Sequence, residues 1–111
     1  MAYSKAEEFK VADQALADFA RAIAHPARIM ILRTLANRKQ CICGELVEVL
    51  PLAQSTVSQH LKALREAGLI AGELEGPRSC YCLDAKAIQR FGTLLHSFVD
   101  MLEETADKEC C

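Results

Sequence analysis

The chain has 111 residues, 51% of them apolar, with six cysteines and a formal net charge of −2 at pH 7. Such a length bounds it to one domain with a modest core, and an apolar half without low-complexity tracts excludes a disordered chain. Its apolar runs fall far short of a bilayer span and residues Met1–Glu8 carry no signal-peptide pattern, so a soluble, cytoplasmic protein without a membrane partner is expected.

Residues 5–24 are expected to form an amphipathic helix, with Phe9, Ala12, Leu16, Phe19, Ala20 and Ile23 at helical spacing. His25-Pro26 interrupts it and starts the next helix, because proline is tolerated where the first helical N–H needs no partner. That second helix runs from Ala27 to about Ala36 and buries Ile29, Ile31, Leu32 and Leu35; Asn37-Arg38-Lys39-Gln40 is a polar connector. Cys41-Ile42-Cys43 is too short for a helix and reads as a brief strand. A short helix over Glu45–Leu50 stops at Pro51. Gln54 or Ser55 opens another, with Val57, Leu61 and Leu64 inward, and Ala67-Gly68 ends it, glycine supplying the left-handed residue. Leu69–Leu74, the turn Glu75-Gly76-Pro77-Arg78 and Ser79–Leu83 form a β-hairpin. A last helix spans about Ala85 to Asp107, with Ile88, Phe91, Leu94, Leu95, Phe98, Val99 and Leu102 apolar. The first and last helices carry more apolar surface than one small domain covers, which points to a homodimer seam.

A short helix, a tight turn and a second helix beginning in small polar residues is a helix-turn-helix pattern. The second helix offers Gln54, Ser55, Thr56, Ser58, Gln59 and Lys62 opposite its apolar side. Glutamine can read adenine, serine and threonine are permissive, and Lys62 and Arg65 are placed for phosphate. His60 is expected to meet DNA or solvent, and Arg78 at the hairpin tip to reach an adjacent groove or the backbone. Residues 53–65 contain no acid, whereas the end of the chain is acidic, so the charge distribution favours a small cationic face on double-stranded DNA despite the negative net charge.

Ala24-His25-Pro26-Ala27-Arg28-Ile29-Met30-Ile31-Leu32, Cys41-Ile42-Cys43-Gly44-Glu45-Leu46, Gln54 through Ile70 and the wing ending Tyr81-Cys82-Leu83 together resemble the ArsR/SmtB-type winged helix-turn-helix metal-sensing repressors, over roughly residues 16–100. The resemblance implies a mainly α fold with a small β-hairpin wing in a single domain, 1–111. Reading helices would span about 44–67, the wing about 69–83 and a C-terminal dimerisation helix about 85–107. It also implies a homodimer, joined by its first and last helices, that represses a resistance operon and leaves its operator when an effector binds. In such folds the strand before the reading helices pairs with the last wing strand.

All six cysteines fall in pairs, 41/43, 80/82 and 110/111. In a reducing compartment they are not a disulfide scaffold, and soft thiolates select Zn, Cd, Pb, Cu(I) or trivalent arsenic and antimony. Tyr81 and Leu83 are the inward residues of the wing strand, sending Cys80 and Cys82 outward. Cys41 and Cys43 match the Cys-x-Cys of relatives that sense arsenite or cadmium, but Leu46 stands where arsenite sensors carry a third cysteine. A third ligand must then come from Cys80, Cys82, Cys110 or Cys111. The zinc pattern of the last helix is absent, since Val99 follows His96 by three residues and Asp100 by four. The effector expected is As(III) or Sb(III), with Cd, Pb or Zn as alternatives, and no obligatory cofactor is expected. The alternatives are a redox- or persulfide-sensing repressor of the same fold and, more distantly, a metal-buffering or protein-binding dimer. No thioredoxin-like Cys-x-x-Cys, phosphate loop or catalytic triad is present, so no enzyme is expected.

Overall fold

The computed structural model describes residues 9–38, 42–43, 50–72 and 80–106. Its elements follow the order α1 (Val11–Ala22), α2 (Pro26–Arg38), β1 (Ile42–Cys43), α3 (Gln54–Glu66), β2 (Ile70–Gly72), β3 (Cys80–Leu83) and α4 (Ala85–Ala106). The helix expected before Leu50, the turn through Arg78 and the end of the chain after Ala106 lie outside the described residues.

Only one end of α1 joins the core. Phe19 and Ala22 are buried, and the Phe19 ring lies 5.3 Å from that of Phe91 on α4. The helix begins at Val11, Phe9 and Val11 are 61% and 75% exposed, and Ala12 and Ala20 face outward, so the long inward face expected from Phe9 onward is not covered by the described residues. The break before α2 is built by its own residues. The N–H of Ala27 donates to His25 Nδ1 at 3.0 Å, so an imidazole fills the capping role that serine or aspartate usually takes, and Pro26 occupies the first helical position. Along α2, Ile31 and Leu35 are fully covered, Leu32 packs against the core and Ile29 is half-buried.

Helix α3 presents Val57, Leu61 and Leu64 to α2 and the sheet, as its spacing predicts. Its end is a complete Schellman closure: Leu69 N–H donates to Leu64 O at 3.1 Å and Gly68 N–H to Arg65 O at 2.9 Å, with Gly68 at φ +85°. The sheet has three antiparallel strands in the order β1-β3-β2, so β1 pairs with the last wing strand, as the resemblance implies. Ile42 stands opposite Tyr81 and Cys43 opposite Cys80. On the other side Gly72 faces Tyr81 at φ +140°, and any Cβ there would run into the Cys80 carbonyl oxygen. Tyr81 is buried and Leu83 packs against the core. Asp84 then caps α4, its Oδ1 accepting the Ala87 N–H at 3.0 Å.

One junction is polar. Arg28 on α2 donates from Nε to His60 Nδ1 on α3 (3.1 Å) and from Nη1 to the Ala22 carbonyl (3.2 Å), while the His25 and His60 rings sit 4.4 Å apart. His60 is only 8% exposed. Its expected place among DNA-facing side chains is therefore corrected: it packs inward, because it falls three residues after Val57 and four before Leu64 on the buried arc. Burial first, then the neighbouring His25 and the Arg28 charge, hold its pKa below the usual histidine value. Accepting a hydrogen bond at Nδ1 requires the neutral ring.

Two outcomes follow from this packing. Gly72→Ala should destabilise the fold by at least about 2 kcal/mol in urea unfolding, since both the backbone conformation and the Cys80 carbonyl reject a methyl group. For His60, the unfolded chain takes up a proton below about pH 6.5 while the folded chain resists it. Stability should therefore fall as pH drops from about 6.5 and level off once the lower folded pKa is passed. Thermal unfolding between about pH 7.5 and 5.5 checks this. His60→Gln, which keeps an acceptor for Arg28, should flatten the slope, and an unchanged slope would refute the assignment.

Candidate nucleic-acid interface

The face of α3 opposite its buried stripe is made by Gln54, Ser55, Ser58, Gln59, Lys62 and Arg65, all exposed, with Thr56 half-buried at its flank. At 100° per residue, Ser55, Gln59 and Lys62 form one ridge and Gln54, Ser58 and Arg65 the next. The helix begins after Ala53, whose extended backbone supplies no side-chain cap, and its first turn carries no acid. Its leading N–H groups and short polar side chains are thus open, with the positive end of the helix dipole behind them. Lys62 and Arg65 extend the cationic character along the helix, and Glu66 falls at its end. A convex helix bearing short polar groups at its N-terminal half and cations behind them can enter a major groove and contact the phosphates beside it. Arg78 lies outside the described residues.

The cysteines fall on the sheet behind this helix. Cys80 and Cys82 alternate with buried Tyr81 on β3, so both lie on the face opposite the core, as the pattern predicts. They are half-buried and each is disulfide-bonded. Strand geometry separates same-face neighbours by roughly 6.5 Å, far more than the about 3.8 Å between bridged Cβ atoms, so they are not bonded to each other. A disulfide sulfur is not a thiolate ligand, and this differs from the free thiols expected at these positions. The backbone of β1 brings Cys43 alongside Cys80. Cys41, Cys110 and Cys111 lie outside the described residues. Among those described, no group of three or more His, Cys, Asp or Glu residues could hold a metal ion. His96 and Asp100 are exposed on α4, along an open face made by that helix alone.

Two functional side chains escaped the sequence reading. Arg28 ties the cap of α2 to α3, and only the fold brings it to His60, 32 positions away in the chain. Asp84 had a local signal, an aspartate immediately before a helix-forming run.

The model of the family described as "Bacterial regulatory protein, arsR family" matches residues 25–71, from the His25 cap through α3 into β2. The HTH-type transcriptional repressor SmtB of Mycobacterium tuberculosis is 42% identical over 69 residues, 62% of this chain and 50% of that protein, so the chain spans half the length of this relative. The arsenical resistance operon repressor of Bacillus subtilis is 33% identical over 92 residues, covering 82% of this chain and 85% of the relative. A crystal structure of a possible transcriptional regulator for arsenical resistance superposes with a TM-score of 0.66 at 27% identity, over 84% of this chain and 98% of that one. These relatives are regulators rather than enzymes, and among the described residues no helix is long and apolar enough to cross a membrane. With its sheet-backed α3 and its wing, the chain belongs to the ArsR family of bacterial regulatory proteins and has their winged helix-turn-helix fold.

Proposed function

We propose that the protein is a homodimeric transcriptional repressor that grips double-stranded operator DNA with α3 and releases it when cysteine thiolates bind As(III) or Sb(III). The observation that carries this reading is the exposed, acid-free polar face of α3, held on a sheet whose strands β1 and β3 bear Cys43, Cys80 and Cys82. Gln54, Ser55, Thr56, Ser58 and Gln59 would meet base edges, and Lys62, Arg65 and Arg78 the phosphates. The name of the Bacillus subtilis relative supports a metalloid effector. The homodimer is supported by α4, none of whose residues is buried; Leu95, Phe98, Val99, Met101 and Leu102 are 38–57% exposed along it, and Phe9 and Val11 before and at the start of α1 are exposed as well. Covering such a stripe with a second copy removes apolar area from water at about 25 cal/mol per Å².

Ligands from Cys41 and Cys43, completed by Cys80, Cys82, Cys110 or Cys111, would pull β1 toward the wing and tilt α3 out of register with consecutive major grooves. Releasing DNA by about a hundredfold requires the ion to prefer the off-DNA conformation by about 2.7 kcal/mol, which several thiolate bonds can supply.

The disulfides at Cys80 and Cys82 favour a second reading, a repressor switched by oxidation. Each bridge forms as two thiols lose two protons and two electrons, and a peroxide accepts them to become water.

Fluorescence anisotropy of labelled DNA from upstream of the gene, titrated with reduced protein, tests both. The metalloid reading predicts salt-sensitive binding, released about a hundredfold by arsenite and insensitive to arsenite in Cys41→Ser or Cys43→Ser. Lys62→Ala should lower the salt slope by about 1, whereas Gln59→Ala should cost about 1–3 kcal/mol on the preferred site alone. Release by peroxide but not arsenite would transfer the protein to the oxidation reading. No DNA binding in any state would overturn both.

A further inference from the structure

Where α1, α2, α3 and α4 converge, with no described residue of the sheet in its lining, the molecule has a cleft of about 480 Å³. That is within the range of small-molecule sites. Its walls divide by chemistry. Phe19, Ala15, Ala22, Ala63 and Ala67 line it with apolar groups, and Arg21, Arg28 and Arg90 also border it. Two carboxylates, Asp18 and Glu66, also border it. Arg21 is already matched, donating to Asp18 Oδ1 at 3.0 Å in an exposed pair. Arg28 is half-buried and fixed by its bonds to His60 and Ala22, which leave Nη2 without a protein acceptor among the described residues. Arg90 has no ion-pair partner among them.

We propose that this cleft binds a small organic carboxylate with an apolar body, as a second effector site separate from the thiols. A guanidinium already held in place by other bonds can donate from its remaining Nη2 to a carboxylate oxygen at little ordering cost, and Arg90 is placed to supply a second cation. The Phe19 ring and the alanine methyl groups offer an apolar surface that a bare inorganic anion would leave unused. The cleft touches α1 and α4, which carry the uncovered apolar stripe, and the second half of α3 through Ala63, Glu66 and Ala67. Arg28 is shared between the cleft and the His60 junction, so an occupant would bear on the seating of α3.

Binding in the cleft does not require DNA and is tested without it. The reduced full chain is titrated by calorimetry with benzoate, with neutral benzyl alcohol and with inorganic phosphate, and thermal unfolding reports whether each variant folds. Benzoate should bind with a Kd on the order of 1 mM or tighter. Arg90→Gln should weaken it about tenfold or more, and Ala63→Leu, which fills the cleft, should abolish it, both with wild-type unfolding cooperativity. Benzyl alcohol or phosphate binding as well as benzoate would overturn the proposal, as would unchanged benzoate affinity in both folded variants. If Ala63→Leu fails to fold, Arg90→Gln alone decides.

Discussion

Leu69 is where the parts of this molecule are referred to one another. Its side chain is fully buried, its N–H donates to the last turn of α3 at Leu64, and its carbonyl accepts the N–H of Asp84 at the start of α4. Gly68 makes this possible by adopting φ +85°, which turns the chain from helix into strand within a residue. One position thus fixes the end of the reading helix, the first strand of the wing and the origin of the long C-terminal helix. Burying such a leucine is worth about 1.5–3 kcal/mol, and each hydrogen bond around it would cost about 1–3 kcal/mol if left unpaired in the interior.

From that anchor the sheet extends outward. β3 is its central strand, paired to β2 on one side and to β1 on the other. Gly72 sets how closely β2 and β3 approach, because its missing side chain leaves room for the Cys80 carbonyl. In the proposed function, a change in the covalent or ligand state of the cysteines is felt first in the β1–β3 ladder. It then reaches α3 through β2 and Leu69. The opposite side of α3 is held differently, by a neutral histidine that accepts from a guanidinium and packs at a tilt against a second histidine. An apolar contact there would tolerate sliding; a directional N–H···N bond sets both the spacing and the rotation of α3 against α2.

Much of this was legible in the chain itself. The 3.6-residue period placed Val57, Leu61 and Leu64 inward, the Ala67-Gly68 pair marked the helix end, and the alternation around Tyr81 put Cys80 and Cys82 on one face. Each is a local rule whose cause lies within a few residues. The reading of His60 as outward failed for a related reason. Its residue type was weighed as polar, although its helical angle lies on the buried arc, and the partner that makes burial tolerable is distant in sequence.

The sequence by itself determined where α2, α3 and α4 begin and where α3 ends, which face of α3 is polar, and that Cys80 and Cys82 are strand-spaced, because backbone sterics and side-chain periodicity act over a turn or a pleat. Tertiary structure alone decided that Arg28 meets His60, that Cys80 and Cys82 each enter a disulfide, and that three arginines and two carboxylates border an apolar cleft. Those features need groups far apart in the chain to arrive at one place. Only the burial of a shared core, which fixes the angles between helices and sheet, can bring them there.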